Sequence, residues 1–213
     1  MTKKSYLMDS SILSGNCTIT DIIEGENIVI RLSETFFYPQ GGGQKSDIGT
    51  IGNVNVIKVM HSENFVDHIV DKSDGLKIGN NYDFEINQDH RNLQTRYHTA
   101  GHLIASVIEN KFSELTALAG HQWPGEARVE FEGNVPKDLS LEIVQTLINE
   151  EFESNLVVEV QGDPFSSRKV KIGGFNSIPC GGTHVKQLKD IGLLIIDSAK
   201  EKKGRFRVSY HLD

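Results

Sequence analysis

The stretch Asp89-His90-Arg91-Asn92-Leu93-Gln94-Thr95-Arg96-Tyr97-His98-Thr99-Ala100-Gly101-His102-Leu103-Ile104 divides this chain into two kinds of sequence. Before it, apolar and polar residues alternate in short runs broken by Gly, Asn and Asp, the pattern of strands and tight turns. From Asp89 to Phe112 the period becomes helical. Leu93, Tyr97, Ala100, Ile104 and Ile108 share one face, widened by Leu103 and Val107. At about 100° per residue, His98 and His102 fall on the opposite side with Thr95, Ala105, Ser106 and Glu109. Two imidazoles one turn apart, turned from the apolar stripe, fit the lining of a cleft; the plain alternative is a pair of exposed side chains.

A second pair lies in Ile178-Pro179-Cys180-Gly181-Gly182-Thr183-His184-Val185, where Cys180 and His184 stand four positions apart in a Gly-rich turn able to wrap one ion. Either pair alone is a weak signal. Together they predict one site with His98, His102, Cys180 and His184 as ligands, and thiolate plus imidazole donors favour Zn2+. The pairs are too far apart for a single zinc finger, so tertiary folding must bring them together. Four protein ligands close a tetrahedral site, whereas catalytic zinc keeps one position open. Either a ligand gives way or the ion takes a fifth, and the spacing leaves that choice open. An open position suits ester hydrolysis by a water whose pKa falls to about 7, or the ion orients a substrate amino or hydroxyl group. No Glu follows His98, so the His-Glu-x-x-His arrangement of metalloproteases is absent. Gln44, Thr183, His121, Glu126 and Glu130 are the candidate supporting or proton-transfer groups.

Working outward, Ile28–Ile30, Val54–Ile57, Phe65–Val70 and Tyr82–Ile86 read as short strands of a small barrel or sandwich. Among them sits Phe36-Phe37-Tyr38-Pro39-Gln40-Gly41-Gly42-Gly43-Gln44. Three glycines cost folding entropy, so this loop needs unusual backbone angles or a close approach, as a hairpin loop or as a substrate-facing one. Beyond the first helix, Ala127–Phe131 alternates like a strand. A second helix is expected from Asp138 to Phe152, with Leu139, Ile143, Leu147 and Ile148 inward and Asp138 or Ser140 as cap. Leu156–Val160, Leu193–Ser198 and Phe206–His211 read as strands, the last two joined by a charged turn. The expectation is an α+β protein with one domain over 1–88, its glycine-rich loop at 36–49, and a second over 89–213.

The 213 residues, 38% hydrophobic and 24% charged, suit a soluble globular protein. A net charge of −7 argues against gripping nucleic acid by bulk electrostatics. Local basic groups remain: Arg91 with Arg96, Arg168 with Lys169 and Lys171, and Lys200, Lys202, Lys203, Arg205 and Arg207. No apolar run approaches the roughly 20 residues that span a bilayer, and the first residues resemble no signal peptide, so a cytoplasmic protein without a membrane partner is expected. Cys17 and Cys180 are not expected to pair there, and Cys17 receives no role. Nothing in the sequence sets an oligomeric state.

His98-Thr99-Ala100-Gly101-His102 with Cys180-Gly181-Gly182-Thr183-His184-Val185 resembles the editing domain of alanyl-tRNA synthetase and its free-standing relatives, the AlaX proteins. Asp89-His90-Arg91 and Gly204-Arg205-Phe206-Arg207-Val208 are similar to further parts of that pattern. Phe37 to Gln44, with Asp47-Ile48-Gly49, resembles the glycine-rich motif of the longer AlaX forms. The resemblance implies a β-barrel N-terminal domain followed by an α/β editing domain of the threonyl/alanyl-tRNA synthetase type. It implies four zinc ligands at His98, His102, Cys180 and His184, and ATP-independent hydrolysis of wrongly charged tRNA(Ala). The expected substrate carries serine, or glycine, on the tRNA acceptor end, with Gln44 and Thr183 as catalytic groups. Editing of another aminoacyl-tRNA such as Ser-tRNA(Thr), or a non-catalytic RNA- or synthetase-binding protein with structural zinc, are the alternatives. Gly101 and His121-Gln122-Trp123-Pro124-Gly125 depart from the family pattern near the expected pocket.

Overall fold

The sequence turns helical where Asn87 can cap it: its side-chain Oδ1 accepts the His90 N–H at 2.8 Å, and helix α1 runs over Gln88–Lys111. In the computed structural model, which describes residues 1–213, this helix spans the division between two compact units. Residues 1–41 and 45–93 form the first, and residues 42–44 and 94–213 the second. The first turn of α1, through Leu93, belongs to the first unit.

That unit contains β1 (Lys3–Lys4), β2 (Ser14–Ile23), β3 (Ile28–Leu32), β4 (Glu34–Thr35), β5 (Gly49–Ile51), β6 (Val54–Ser62), β7 (Phe65–Val70) and β8 (Asn81–Ile86). Six strands pair antiparallel in the cyclic order β2-β3-β7-β6-β5-β8, with β8 returning to β2. β1 pairs with β4 in parallel. Strand alternation sorts the side chains as period two requires: Val66, His68 and Val70 of β7 are buried, while Phe65, Asp67 and Ile69 are partly exposed. Ile19, Ile30, Leu32, Phe37, Val59 and Phe84 join the core. Phe36 stacks on Phe84, so the aromatic run before the glycines is core and not substrate lining.

One buried ion pair explains two of the sequence motifs in this unit. Arg91 donates from Nε to Asp47 Oδ1 at 2.8 Å and from Nη2 to Oδ2, and both residues are sealed from solvent. The same carboxylate accepts the Tyr38 N–H, and Arg91 donates onward to the Ser10 and Phe36 carbonyls. His90 Nε2 lies 2.9 Å from Ser46 O. Asp89-His90-Arg91 and Asp47-Ile48-Gly49 are therefore two sides of one lock. Both carboxylate oxygens accept and all three guanidinium nitrogens donate, which a buried pair needs if it is to offset its desolvation.

The second unit adds β9 (Leu115–His121), β10 (Arg128–Gly133), α2 (Leu141–Glu153), β11 (Val158–Gln161), β12 (Lys169–Ile172), β13 (Ile178–Pro179), β14 (Leu194–Lys202) and β15 (Arg205–Leu212). One sheet has the order β14-β15-β10-β9 and a smaller one β11-β12-β13. Helix α1 is fastened to β15 by Tyr97, whose ring stacks on Tyr210; Tyr210 OH donates to Tyr97 O at 2.8 Å. Helix α2 covers β14, where the Gln145 amide bonds both Leu194 O and Ile196 N–H, satisfying backbone groups of an edge strand. Ser140, not Asp138, caps α2. The helix starts at Leu141, so its buried positions are Val144 and Ile148 at i, i+4, and Ile143 turns outward. Both sides of α1 are covered, since Ala105 and Ser106 are buried along with Leu103, Ile104 and Ile108. The histidine face is therefore an interior one. No helix is long and apolar enough to cross a membrane.

Candidate metal centre

His98 and His102 project one turn apart from α1, and Cys180 and His184 come from the Gly-rich turn after β13. The four donor atoms lie within 4.8 Å of one another. His98 Nε2 is 3.0 Å from His102 Nε2. Cys180 Sγ is 3.4 Å from His98 Nε2 and 3.2 Å from His184 Nε2. Around a tetrahedral zinc, bond lengths near 2.05 Å to nitrogen and 2.3 Å to sulfur put donors about 3.3–3.6 Å apart. Donor set and spacing thus fit a single metal ion.

The candidate ligands are held from behind. Gln44 Oε1 accepts the Thr183 N–H at 3.0 Å, and that fixed donor identifies the atom as oxygen. The same oxygen is 2.6 Å from His98 Nδ1, so His98 carries its proton on Nδ1 and turns the Nε2 lone pair into the cluster. Gln44 Nε2 donates to Thr183 Oγ1, which also bonds Thr95 Oγ1 at 2.6 Å. Thr99 Oγ1 accepts the Val185 N–H at 3.2 Å and lies 3.4 Å from His184 Nδ1. Gln44 and Thr183, expected as catalytic groups, lie behind the cluster. They are 0% and 2% exposed, and their polar atoms point at one another and at His98. Neither lines the cavity described below. Gly182 has its own reason for having no side chain: a Cβ there would lie 2.1 Å from His98 Cε1.

Electrostatics favours ligand-ready imidazoles. Burial, then the neighbouring His102 and Arg168, hold His98 well below the ordinary imidazole range. Burial alone takes His102 down to about 4. Burial, then His98, His102 and Arg168, does the same for His184. Metals bind neutral imidazole, so no proton has to be displaced from these rings near pH 7. Burial pushes the Cys180 thiol up, against the Gly182 N–H and the Arg168 charge, which favour the thiolate. Arg168 Nη1 also donates to Cys180 O, a role its place before β12 did not announce.

Beside the cluster opens a cavity of about 610 Å³ reached by His102. Small residues make the room: Gly42, Gly43, Gly101, Ala105, Ala117 and Gly120 line it. Gln122, which was not among the candidate supporting or proton-transfer groups, also lines it. His121 pairs with Glu126 at 3.3 Å, and Glu130 is taken by Arg128, Arg205 and Arg207. Those bonds, that to Arg205 first, hold the Glu130 carboxyl below its usual range, and they also neutralise part of the basic C-terminal hairpin.

Comparison with known proteins adds a family to this geometry. Residues 167–208 match the Threonyl and Alanyl tRNA synthetase second additional domain. The chain is 33% identical over 198 residues to the Alanyl-tRNA editing protein AlaX-M of Pyrococcus horikoshii, covering 90% of this chain and 88% of that protein. It is 31% identical over 236 residues to AlaX-M of Saccharolobus solfataricus, covering 99% and 98%. It is 28% identical to the Alanine--tRNA ligase of Methanosphaera stadtmanae, covering 98% of this chain and 26% of that ligase. With such identity over nearly the whole of both AlaX-M proteins, the chain belongs to the AlaX family of alanyl-tRNA editing proteins.

Proposed function

We propose that this protein is an aminoacyl-tRNA deacylase that clears wrongly attached serine, and glycine, from tRNA(Ala) in the cytoplasm, with Zn2+ held by His98, His102, Cys180 and His184. The observation that carries the reading is the four-donor cluster beside an open cavity, in a chain of the alanyl-tRNA editing family. About 610 Å³ is room for an aminoacyl ester and its terminal ribose. When bound, zinc would supply a Lewis acid to the ester and an anchor for the substrate's amino group.

The chain's own residues do the rest. Gln44 fixes the His98 tautomer, and Thr183 fixes Gln44, so both are positioning residues. Arg168 and the Gly182 N–H favour thiolate at Cys180. The second unit is the editing domain in this reading. The cyclic sheet of the first is its small β-barrel, supported by each of the six strands having two neighbours. The test is deacylation of seryl-, glycyl- and alanyl-tRNA(Ala) and seryl-tRNA(Thr). Hydrolysis of seryl-tRNA(Ala) about a hundredfold above buffer, with alanyl-tRNA(Ala) spared, is expected. Equal hydrolysis of alanyl-tRNA(Ala) would contradict proofreading, and preference for seryl-tRNA(Thr) would reassign the substrate.

A further inference from the structure

The cavity beside His102 is lined by a residue with a polar atom that the protein itself does not satisfy. Only two buried side-chain polar atoms lack a hydrogen-bond partner, Oε1 of Gln94 and Oε1 of Gln122, and of these residues only Gln122 lines the cavity. Gln122 is 6% exposed. Its backbone is pinned, the N–H donating to Gly43 O at 2.9 Å.

Three glycines from three separate segments make the space for its carboxamide. A Cβ on Gly43 of the glycine-rich loop would lie 2.0 Å from Gln122 Oε1. One on Gly101, between the two ligand histidines, would lie 2.5 Å from Nε2 and 2.6 Å from Cγ. One on Gly120 of β9 would lie 2.0 Å from Nε2. Gly43 also has φ +83°, open to glycine at little strain. A buried amide normally has its partners, and an unpaired one is costly, so a niche built around such a group points to a ligand that completes it.

We infer that Gln122 is the specificity-determining residue of the editing site, its carboxamide hydrogen-bonding the side-chain hydroxyl of the aminoacyl group seated beside His102. This rests on the editing function proposed above. A hydroxyl both donates and accepts, so it can satisfy an amide; alanine's methyl group can do neither. A polar site left unpaired rejects the analogue that lacks the group by far more than an apolar pocket could.

The test uses the full, zinc-loaded chain and compares kcat/KM on seryl- and glycyl-tRNA(Ala) for the wild type, Gln122→Met and Gly101→Ala. Metal content is measured alongside. Gln122→Met keeps the volume and removes the amide, so the seryl-to-glycyl ratio should fall about a hundredfold with zinc retained. Gly101→Ala drives the amide from its niche and should lower the ratio in the same direction. It carries the test if Gln122→Met does not fold. A ratio unmoved in both variants overturns the inference, because a merely structural Gln122 would lower both substrates together. Failure of the wild type on both substrates would overturn the editing reading itself and this inference with it.

Discussion

His98 is the residue on which the centre turns, wedged between Gly182 and the oxygen of Gln44. His102→Ala and Cys180→Ala should each take bound metal from about one ion per chain to a small fraction, read by elemental analysis. Unchanged metal content would remove that residue from the ligand set. Gln44→Ala frees the His98 ring and should weaken metal affinity about 10- to 100-fold in chelator competition. The four-donor cluster was legible in the sequence because two four-residue spacings of His and Cys are written in the chain itself. Gln44 was visible as a polar residue after three glycines, but its act of orienting a histidine more than fifty positions away was not. Arg168 was visible only as one of several basic residues and Gln122 only as part of a segment that departs from the family pattern, since folding brings their surroundings to them.

At the scale of elements, α1 was readable from its 3.6-residue period, and β7 from its alternation. Strand β9 was not, for Leu115-Thr116-Ala117-Leu118-Ala119-Gly120 is poor in β-formers and is held as a strand by pairing with β10. The lock at the first turn of α1 predicts its own cost: Asp47→Ala strands the Arg91 charge and should destabilise the first unit by about 3–5 kcal/mol in denaturant unfolding. Within β7, His68 is buried, with Nε2 2.8 Å from Thr35 Oγ1 and Nδ1 3.1 Å from Ile30 O. Burial takes it from 6.5 down to about 4. The unfolded chain therefore binds a proton that the native state refuses between these values, and stability falls as pH drops from about 6.5 toward 4. By pH 5 the loss from this group approaches about 2 kcal/mol. Denaturant midpoints at pH 7 and pH 5 should differ less in His68→Leu than in the wild type; an identical difference would contradict this.

For the whole molecule, composition gave only bounds. A net charge of −7 set aside bulk attraction to RNA, and the structure narrows the basic groups further by tying Arg128, Arg205 and Arg207 to Glu130. The change of period at Asp89 was legible as the start of α1. The assignment of Gly42, Gly43 and Gln44 to the second unit was not, because it depends on where a loop packs rather than on its place in the chain. The central claim is that editing runs at the metal cluster. Single-turnover hydrolysis of seryl-tRNA(Ala) by chelator-stripped protein, before and after one equivalent of zinc, tests it most directly. The account predicts that stripping slows hydrolysis about a hundredfold or more and that zinc restores it. Metal-free protein that hydrolyses seryl-tRNA(Ala) at the undiminished rate would contradict it.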